Sequence, residues 1–310
     1  MSSRKSSKPK WRKSTAKGKN VDYFILLTVS GIAIGVIYGL IGMGYALIFK
    51  ATSVVNFAHG EIMMLISYMA FSIASSWTLP FWGLLLVCVF ISAIVGLVIE
   101  RVFIRPMLGQ DVFSTVMVTI GLAVMIRAVV VLIWGADPLL LPTDIGDSGV
   151  EFGLVFLYTS QLYAIGLLAF CVLGMWVFLR FSRMGVAMRA TAARETTALL
   201  MGINVTHVYA IAWAIAAVIA GISGVLLGTI YGLGPDLWTQ GLRAFPAVIL
   251  GGLDSVFGAA ISGILIGVLE NLSEGYIGQG LKEISGFLVI LVVLMIRPYG
   301  LFGTPEIERV

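Results

Sequence analysis

Eight apolar stretches, long enough in most cases to cross a bilayer, follow one another at about 23–49, 61–76, 82–100, 112–134, 161–179, 206–231, 244–273 and 284–297. A helix needs roughly 20 such residues to cross a bilayer's hydrocarbon core. In lipid each backbone amide must find its partner inside the segment or in a closed barrel. The series therefore predicts an all-α, polytopic membrane protein with about eight transmembrane segments and little room outside the bilayer in its 310 residues. Charged residues make up 12% of the chain, about half the ~25% of a soluble domain, which excludes a soluble enzyme on a single anchor. The stretch 244–273 is too long for a simple span and contains Gly251-Gly252-Leu253-Asp254. It predicts a short descending half-helix, a break and then a full helix, a re-entrant or broken element that only protein or a cavity can shelter.

The net charge of +4 hides a split: residues 1–19 carry eight basic side chains and no acid, leaving 12 basic against 16 acidic elsewhere. The expected organisation is a disordered, retained basic tail over 1–22, a membrane domain over 23–298 with a cytoplasmic loop at 180–207, and a short cytoplasmic tail over 299–310. Basic residues favour the cytoplasmic side of a membrane. Arg101 and Arg105, then Arg180, Arg183, Arg189 and Arg194, and finally Arg297 place their loops there, whereas the stretch 135–160 has Asp137, Asp144, Asp147 and Glu151 without one basic residue. Counting back from Arg101 puts Lys50 inside and, with a single crossing over 23–49, the amino terminus outside. The basic tail argues for the inside, which would require 23–49 to re-enter; loop parity favours the single crossing.

Two cysteines, Cys88 and Cys171, sit in apolar segments and read as small hydrophobes, and two histidines make no metal cluster, so no cofactor is expected. The chain lacks a G-x-x-x-x-G-K-[ST] phosphate loop and should not hydrolyse nucleotide itself. Nucleic acid is not an expected partner.

Polar groups inside membrane segments are costly and mark function by default. The foremost island is Asn56-Phe57-Ala58-His59-Gly60-Glu61. Asn56 and His59 would share a helix face, Gly60 permits a bend, and Glu61 at a helix start meets the positive end of the dipole. Asn56, His59, Gly60 and Glu61 are thus candidates for a translocation path or gate, with a helix-terminal cap as the alternative. Gly251, Gly252 and Asp254 form a second candidate, although Asp254-Ser255 also suits a cap for a helix from Val256. Both islands have apolar descent, break and ascent, and paired interrupted segments point to a transport path. Arg127 needs a partner or an escape to the interface, and Glu270 is expected to snorkel or cap; no acid–base pair is recognisable. Glycines at four-residue steps (31, 35, 39; 224, 228, 232; 263, 267) predict close helix packing.

The longest basic loop has good helix formers over Ala187–Leu200 and Gly202 as a C-cap, so one short cytoplasmic helix is expected, either a linker or a docking element.

Asn56 to Glu61, Glu100-Arg101 with Arg105-Pro106, Ser182-Arg183-Met184-Gly185 through Leu200-Met201-Gly202-Ile203-Asn204, and Ala247 to Gly252 together resemble permease subunits of branched-chain amino acid ABC importers, over about residues 25–308. The resemblance implies a translocation subunit, not an enzyme, in the bacterial cytoplasmic (inner) membrane, moving branched-chain or other amino acids inward. It implies as partners a second related permease, two cytoplasmic ATPase subunits and an extracytoplasmic solute-binding protein. It also makes the 183–204 region the coupling element, with Arg183, Gly185, Arg189, Ala190, Ala193 and Gly202 as candidate ATPase contacts. Urea or amide permeases of the same machine, and a stand-alone secondary transporter or channel, are the alternatives; a lone carrier has no need for a basic docking helix.

Overall fold

A computed structural model describes residues 16–145, 148–152, 155–278 and 280–304. The chain runs through α1 (Ala16–Thr52), α2 (His59–Ser76), α3 (Phe81–Ile99), a π turn (Glu100–Ile104), a 3-10 turn (Arg105–Met107) and α4 (Val112–Trp134). After a two-stranded antiparallel hairpin, β1 (Gly149–Phe152) and β2 (Val155–Tyr158), come α5 (Thr159–Phe181), α6 (Arg183–Ala193), α7 (Glu195–Leu200) and α8 (Val205–Tyr231). The last helices are α9 (Thr239–Gly251), α10 (Val256–Tyr276) and α11 (Leu281–Ile296). The structure is that of a multi-pass helical membrane protein. Six helices have the length and hydropathy for a crossing, fewer than the eight expected segments. Of the other two, α2 has 18 residues but opens on His59-Gly60-Glu61, which dilutes its hydropathy, and α11 has 16.

The anticipated break is present: α9 is a 13-residue half-helix, the chain turns at Gly252–Ser255, and α10 returns against α9.

Glycines hold the centre together. A Cβ at Gly35 would lie 2.6 Å from the Ile264 Cα, and one at Gly267 would lie 2.4 Å from the Gly35 Cα. The expected stripes on α1 and α10 thus bring two antiparallel backbones into contact. On α8, Gly224 meets Ser67 and Met63 of α2, but Gly232 leaves the stripe: at φ +79° it ends the helix.

Contacts between ends fix the relative directions. Phe81 N–H donates to the Asp144 carboxylate (2.8 Å), Leu139 bridges Leu233, and α1 touches β2. The Tyr23 hydroxyl reaches the Gly275 carbonyl at the end of α10 (3.2 Å). The start of α1 therefore shares an end of the bundle with the acidic loop. At the other end Lys50 donates to the Asp254 carbonyl (2.9 Å). Because α1 is one continuous helix of 37 residues, about 56 Å at ~1.5 Å per residue, re-entry over 23–49 is excluded. Helix α1 begins at Ala16, inside the segment expected to be a tail; residues 1–15, and 305–310 of the expected carboxy-terminal tail, lie outside the described residues.

At the basic end, the π turn brings Glu100 and Arg105 together, with Arg105 donating through Nε and a terminal nitrogen to the two carboxylate oxygens (3.3 and 3.1 Å). Asp111 caps α4 by accepting from the Ser114 backbone and hydroxyl (2.9 and 2.8 Å), which holds its carboxyl below the usual range. The single helix expected over Ala187–Leu200 is instead two, α6 and α7, parted at Arg194 in an extended conformation (φ −159°, ψ 107°). The N–H of Arg194 still closes α6 on Ala190 (3.1 Å) while its carbonyl opens α7 by accepting from Ala198 (3.0 Å). Gly202 ends α7 as expected, at φ +79°. Cys88 is buried and Cys171 half-buried.

Candidate functional site

Helix α1 stops at Thr52, where Ser53 takes φ +55°, the one positive φ at a non-glycine position among the described residues. The chain continues extended until the Asn56 side chain accepts the Ala58 N–H (3.0 Å) and the Asn56 carbonyl accepts the His59 N–H (3.3 Å), which starts α2. This local turn explains why an Asn stands between two apolar runs. Phe57 N–H meets the Thr119 hydroxyl (3.2 Å), Glu61 pairs with Arg127, and Trp134 Nε1 donates to Ser72 (2.7 Å). Helices α2 and α4 therefore run parallel, and α2 begins at depth in the bundle beside the middle of α4.

Asn56, His59 and Glu61 are all buried, Glu61 at 2% exposure. One Glu61 oxygen accepts from Arg127 at 2.6 Å, and the guanidinium lies 3.6 Å from the centre of the Trp238 ring, a cation–π contact. The sequence left Arg127 without a partner; the fold supplies it on a helix that begins 51 residues further on than the Asn56–Glu61 island ends (112 against 61). The His59 ring stands 4.5 Å from Tyr45, in space that Gly44 leaves open, since a Cβ there would come within 2.4 Å of the imidazole. Gly60 serves close approach more than a bend: a Cβ at Gly60 would meet the Trp238 carbonyl at 2.6 Å, and one at Gly241 would meet the Gly60 Cα at 2.6 Å. The starts of α2 and α9 thus cross in backbone contact. Phe57, 37% exposed, leans on Phe245 (6.2 Å), which meets Tyr45 edge-on (5.8 Å).

Several buried polar atoms here have no hydrogen-bond partner among the described residues: Asn56 Nδ2, both His59 ring nitrogens and Arg127 Nε. The Ile41 carbonyl faces the imidazole but outside hydrogen-bond geometry. A buried polar group left unpaired costs about 1–3 kcal/mol, so these atoms suit hydrogen bonding to something that passes or docks. Tyr45, Arg127, Trp238 and Phe245 complete the cluster. Sequence reading singled out only Arg127 among them, as a charge in an apolar run; the three aromatic residues carry no local signal.

The second island is built differently. Leu250 and Gly251 carbonyls accept the N–H groups of Leu301 (2.8 Å) and Phe302 (3.1 Å). Gly252, at φ +99°, admits Gly303, whose nitrogen a Cβ would meet at 2.5 Å. The Asp254 carboxylate accepts the Thr304 hydroxyl and its N–H (3.2 Å). These residues seat the C-terminal turn on the α9–α10 break. Among the described residues no hydrogen bond, ion pair or ring contact joins them to the Asn56–Glu61 cluster. Glu270 does not snorkel as expected: it is buried and accepts from the Tyr38 hydroxyl (3.1 Å). It follows Gly263 and Gly267 at helical spacing and so shares the face that packs on α1.

At the 180–207 loop, Ser182 caps α6 by accepting the Gly185 N–H (2.8 Å). Gly185 lies against the end of α5, where a Cβ would meet the Phe178 carbonyl at 2.4 Å, and Arg189 donates to the Leu179 carbonyl (2.6 Å). Arg183 and Ala193 are exposed and Ala190 half-buried. Leu200 and Met201 stand out at 87% and 78% exposure, with Val186 and Leu199 exposed nearby.

Residues 27–297 match the family described as branched-chain amino acid transport system, permease component. The chain is 34% identical over 305 residues to the high-affinity branched-chain amino acid transport system permease protein LivH of Salmonella typhimurium, covering 93% of this chain and 98% of that protein. It is 33% identical, over the same shares, to the corresponding permease BraD of Pseudomonas aeruginosa. The permease LivM of Escherichia coli is 24% identical over 88% of this chain and 69% of its own length. No solved structure matches.

Proposed function

This chain belongs to the family of branched-chain amino acid transport permeases, and from that membership we propose how it works. It is a translocation subunit of an ATP-driven importer in the bacterial inner membrane, moving branched-chain or other amino acids into the cytoplasm. Similarity to both LivH and LivM supports assembly with a second, related permease. Two cytoplasmic ATPase subunits and an extracytoplasmic binding protein complete the machine. The path runs along Asn56, His59, Gly60 and Glu61 with Arg127 and Phe57. The observation that carries this reading is buried Glu61 paired with half-buried Arg127, beside unpartnered Asn56 and His59 atoms at depth in an apolar bundle. A zwitterion crossing a membrane needs alternate partners of both signs and neutral hydrogen-bonding groups, and this cluster offers all of them. Gly251, Gly252 and Asp254 have a supporting part, holding the break through which α9 and α10 are joined.

His59→Leu and Asn56→Leu should each lower leucine uptake into proteoliposomes holding the whole importer by about tenfold, since each removes hydrogen-bonding groups worth about 1–3 kcal/mol when buried. Assembly with the ATPases should persist. Uptake at the normal rate in both variants would remove the cluster from the path.

Helices α6 and α7 dock on the ATPases. Arg183, Ala190 and Ala193 border the contact, Gly185 and Arg189 brace α6 on α5, Gly202 closes α7, and Leu200 and Met201 supply the apolar anchor. An isolated linker would not hold two large apolar side chains out into water. Leu200→Asp should weaken ATPase capture by detergent-solubilised permease about tenfold or more, because a carboxylate would be buried without a partner. Expression should not change at so exposed a position. Wild-type capture would refute the docking assignment.

A further inference from the structure

Beneath α6 at the basic end lies a cavity of about 560 Å³, apart from the Asn56–Glu61 path and on the bundle side of the docking helix, with which it shares Arg189 and Ala193. It is bounded by the end of α1, by α6, by the α9–α10 break and by the turn after α11. Two cations face it, Lys50 and Arg189, from helices remote in sequence. Each is satisfied in the chain by a carbonyl oxygen, Asp254 O for Lys50 (2.9 Å) and Leu179 O for Arg189 (2.6 Å), and neither forms an ion pair among the described residues. The remaining polar side chains are Ser53, Tyr299, Thr304 and Asp254, whose carboxylate is occupied by both donors of Thr304. The ammonium and guanidinium thus keep N–H groups free for an anion, with a local charge of +1 once Asp254 is counted.

The rest of the wall is apolar, including Phe49, Leu253 and Leu294. Leu294, Pro298 and Tyr299 line the cavity and are themselves exposed on the flank of the bundle, in line with Met295 and Ile296, which are among its most exposed apolar residues. The cavity is thus open along this apolar flank, where Arg297 and Tyr299 suit the membrane interface, as well as on the α6 side, where Arg189, Ala192 and Ala193 are exposed. A pocket with cations at its head and an apolar flank open to lipid matches an amphiphile with an anionic head, and basic pockets between helices on the cytoplasmic side suit such headgroups.

We propose that this cavity binds an anionic phospholipid, the phosphodiester between Lys50 and Arg189 and an acyl chain along Leu294 and Tyr299. Arg189 belongs to α6 and Lys50 holds the α9–α10 break, so the lipid ties the docking element to the bundle. That consequence rests on the docking role proposed for α6; binding itself does not.

The test is native mass spectrometry of the assembled importer, delipidated and titrated separately with phosphatidylglycerol, phosphatidylcholine, glycerophosphate and inorganic phosphate. Phosphatidylglycerol should bind the wild type about tenfold or more tighter than it binds Lys50→Gln/Arg189→Gln, and phosphatidylcholine should not distinguish them. Arg189→Gln alone gives the same reading should the double variant fail to assemble, and Arg189→Lys should retain binding. Equal phosphatidylglycerol binding by wild type and the charge-loss variant overturns the site. Glycerophosphate or phosphate binding as tightly as the lipid overturns the lipid assignment in favour of a free anion. The lipid titration reads the site by itself, whatever the uptake of these variants, so its failure is distinguishable from failure of the docking role, which ATPase capture by Leu200→Asp tests.

Discussion

Arg127→Ala should destabilise the bundle by about 3–5 kcal/mol, the usual consequence of leaving a buried charge without its partner, and should abolish uptake. Most of that penalty falls on Glu61, which at 2% exposure has no water to replace the guanidinium 2.6 Å away. The Arg127 side chain is 36% exposed, so its own removal costs less. Adding Glu61→Gln should restore stability, because a neutral amide no longer requires a counter-charge, but it should not restore transport if the charges themselves handle the substrate. Thermal unfolding of detergent-solubilised protein, followed by size-exclusion chromatography, reads the first effect, and proteoliposome uptake the second. A single variant as stable as the wild type would mean that Glu61 finds another partner. Full uptake by the double variant would leave the pair a structural role only.

A comparable loss should come from the α1–α10 contact. Gly35→Leu or Gly267→Leu would drive a side chain into backbone, since even a Cβ at these positions lies 2.6 and 2.4 Å from a Cα of the facing helix. Flexible side chains can move aside, but here two helices would have to separate along the centre of the bundle. Overpacking typically costs about 1–3 kcal/mol, and backbone-to-backbone contact belongs at or above the upper end. Little folded protein should survive extraction. Gly121→Leu is the control, because nothing lies within 4 Å of a Cβ there; it should extract like the wild type. Equal recovery of Gly35→Leu and Gly121→Leu would show that the close approach of α1 and α10 is not needed for folding.

Membrane class, the places of the main apolar helices and the presence of two breaks were readable along the chain. Each crossing satisfies its own backbone hydrogen bonds, so its apolar run needs no neighbour to declare it. Breaks declare themselves as well: the Asn56 turn is a local hydrogen bond over two residues, and Gly252 supplies a positive φ. The crossing count also agrees with the contacts that put the start of α1 at the end of the bundle that holds the acidic loop. The number of complete spans was not readable, because α2 and α11 lie near the length and polarity at which a run alone stops being decisive.

What the linear chain did not contain was who meets whom. Glu61 and Arg127 are 66 residues apart, Tyr38 and Glu270 are 232 apart, and Lys50 and Asp254 are 204 apart. Each pairing depends on which helices are neighbours and on how each is rotated about its axis. Those rotations are set by glycine contacts between α1 and α10 and between α2 and α9, where a difference of one residue, about 100° of helix, would turn Glu270 outward to lipid. The same geometry divides the two islands, which read alike in sequence. One has buried atoms without partners beside an ion pair; the other has its carbonyls and carboxylate satisfied by the C-terminal turn. Composition and spacing cannot separate them, because the C-terminal donors come from some fifty residues further along, and their arrival depends on the packing of the whole bundle.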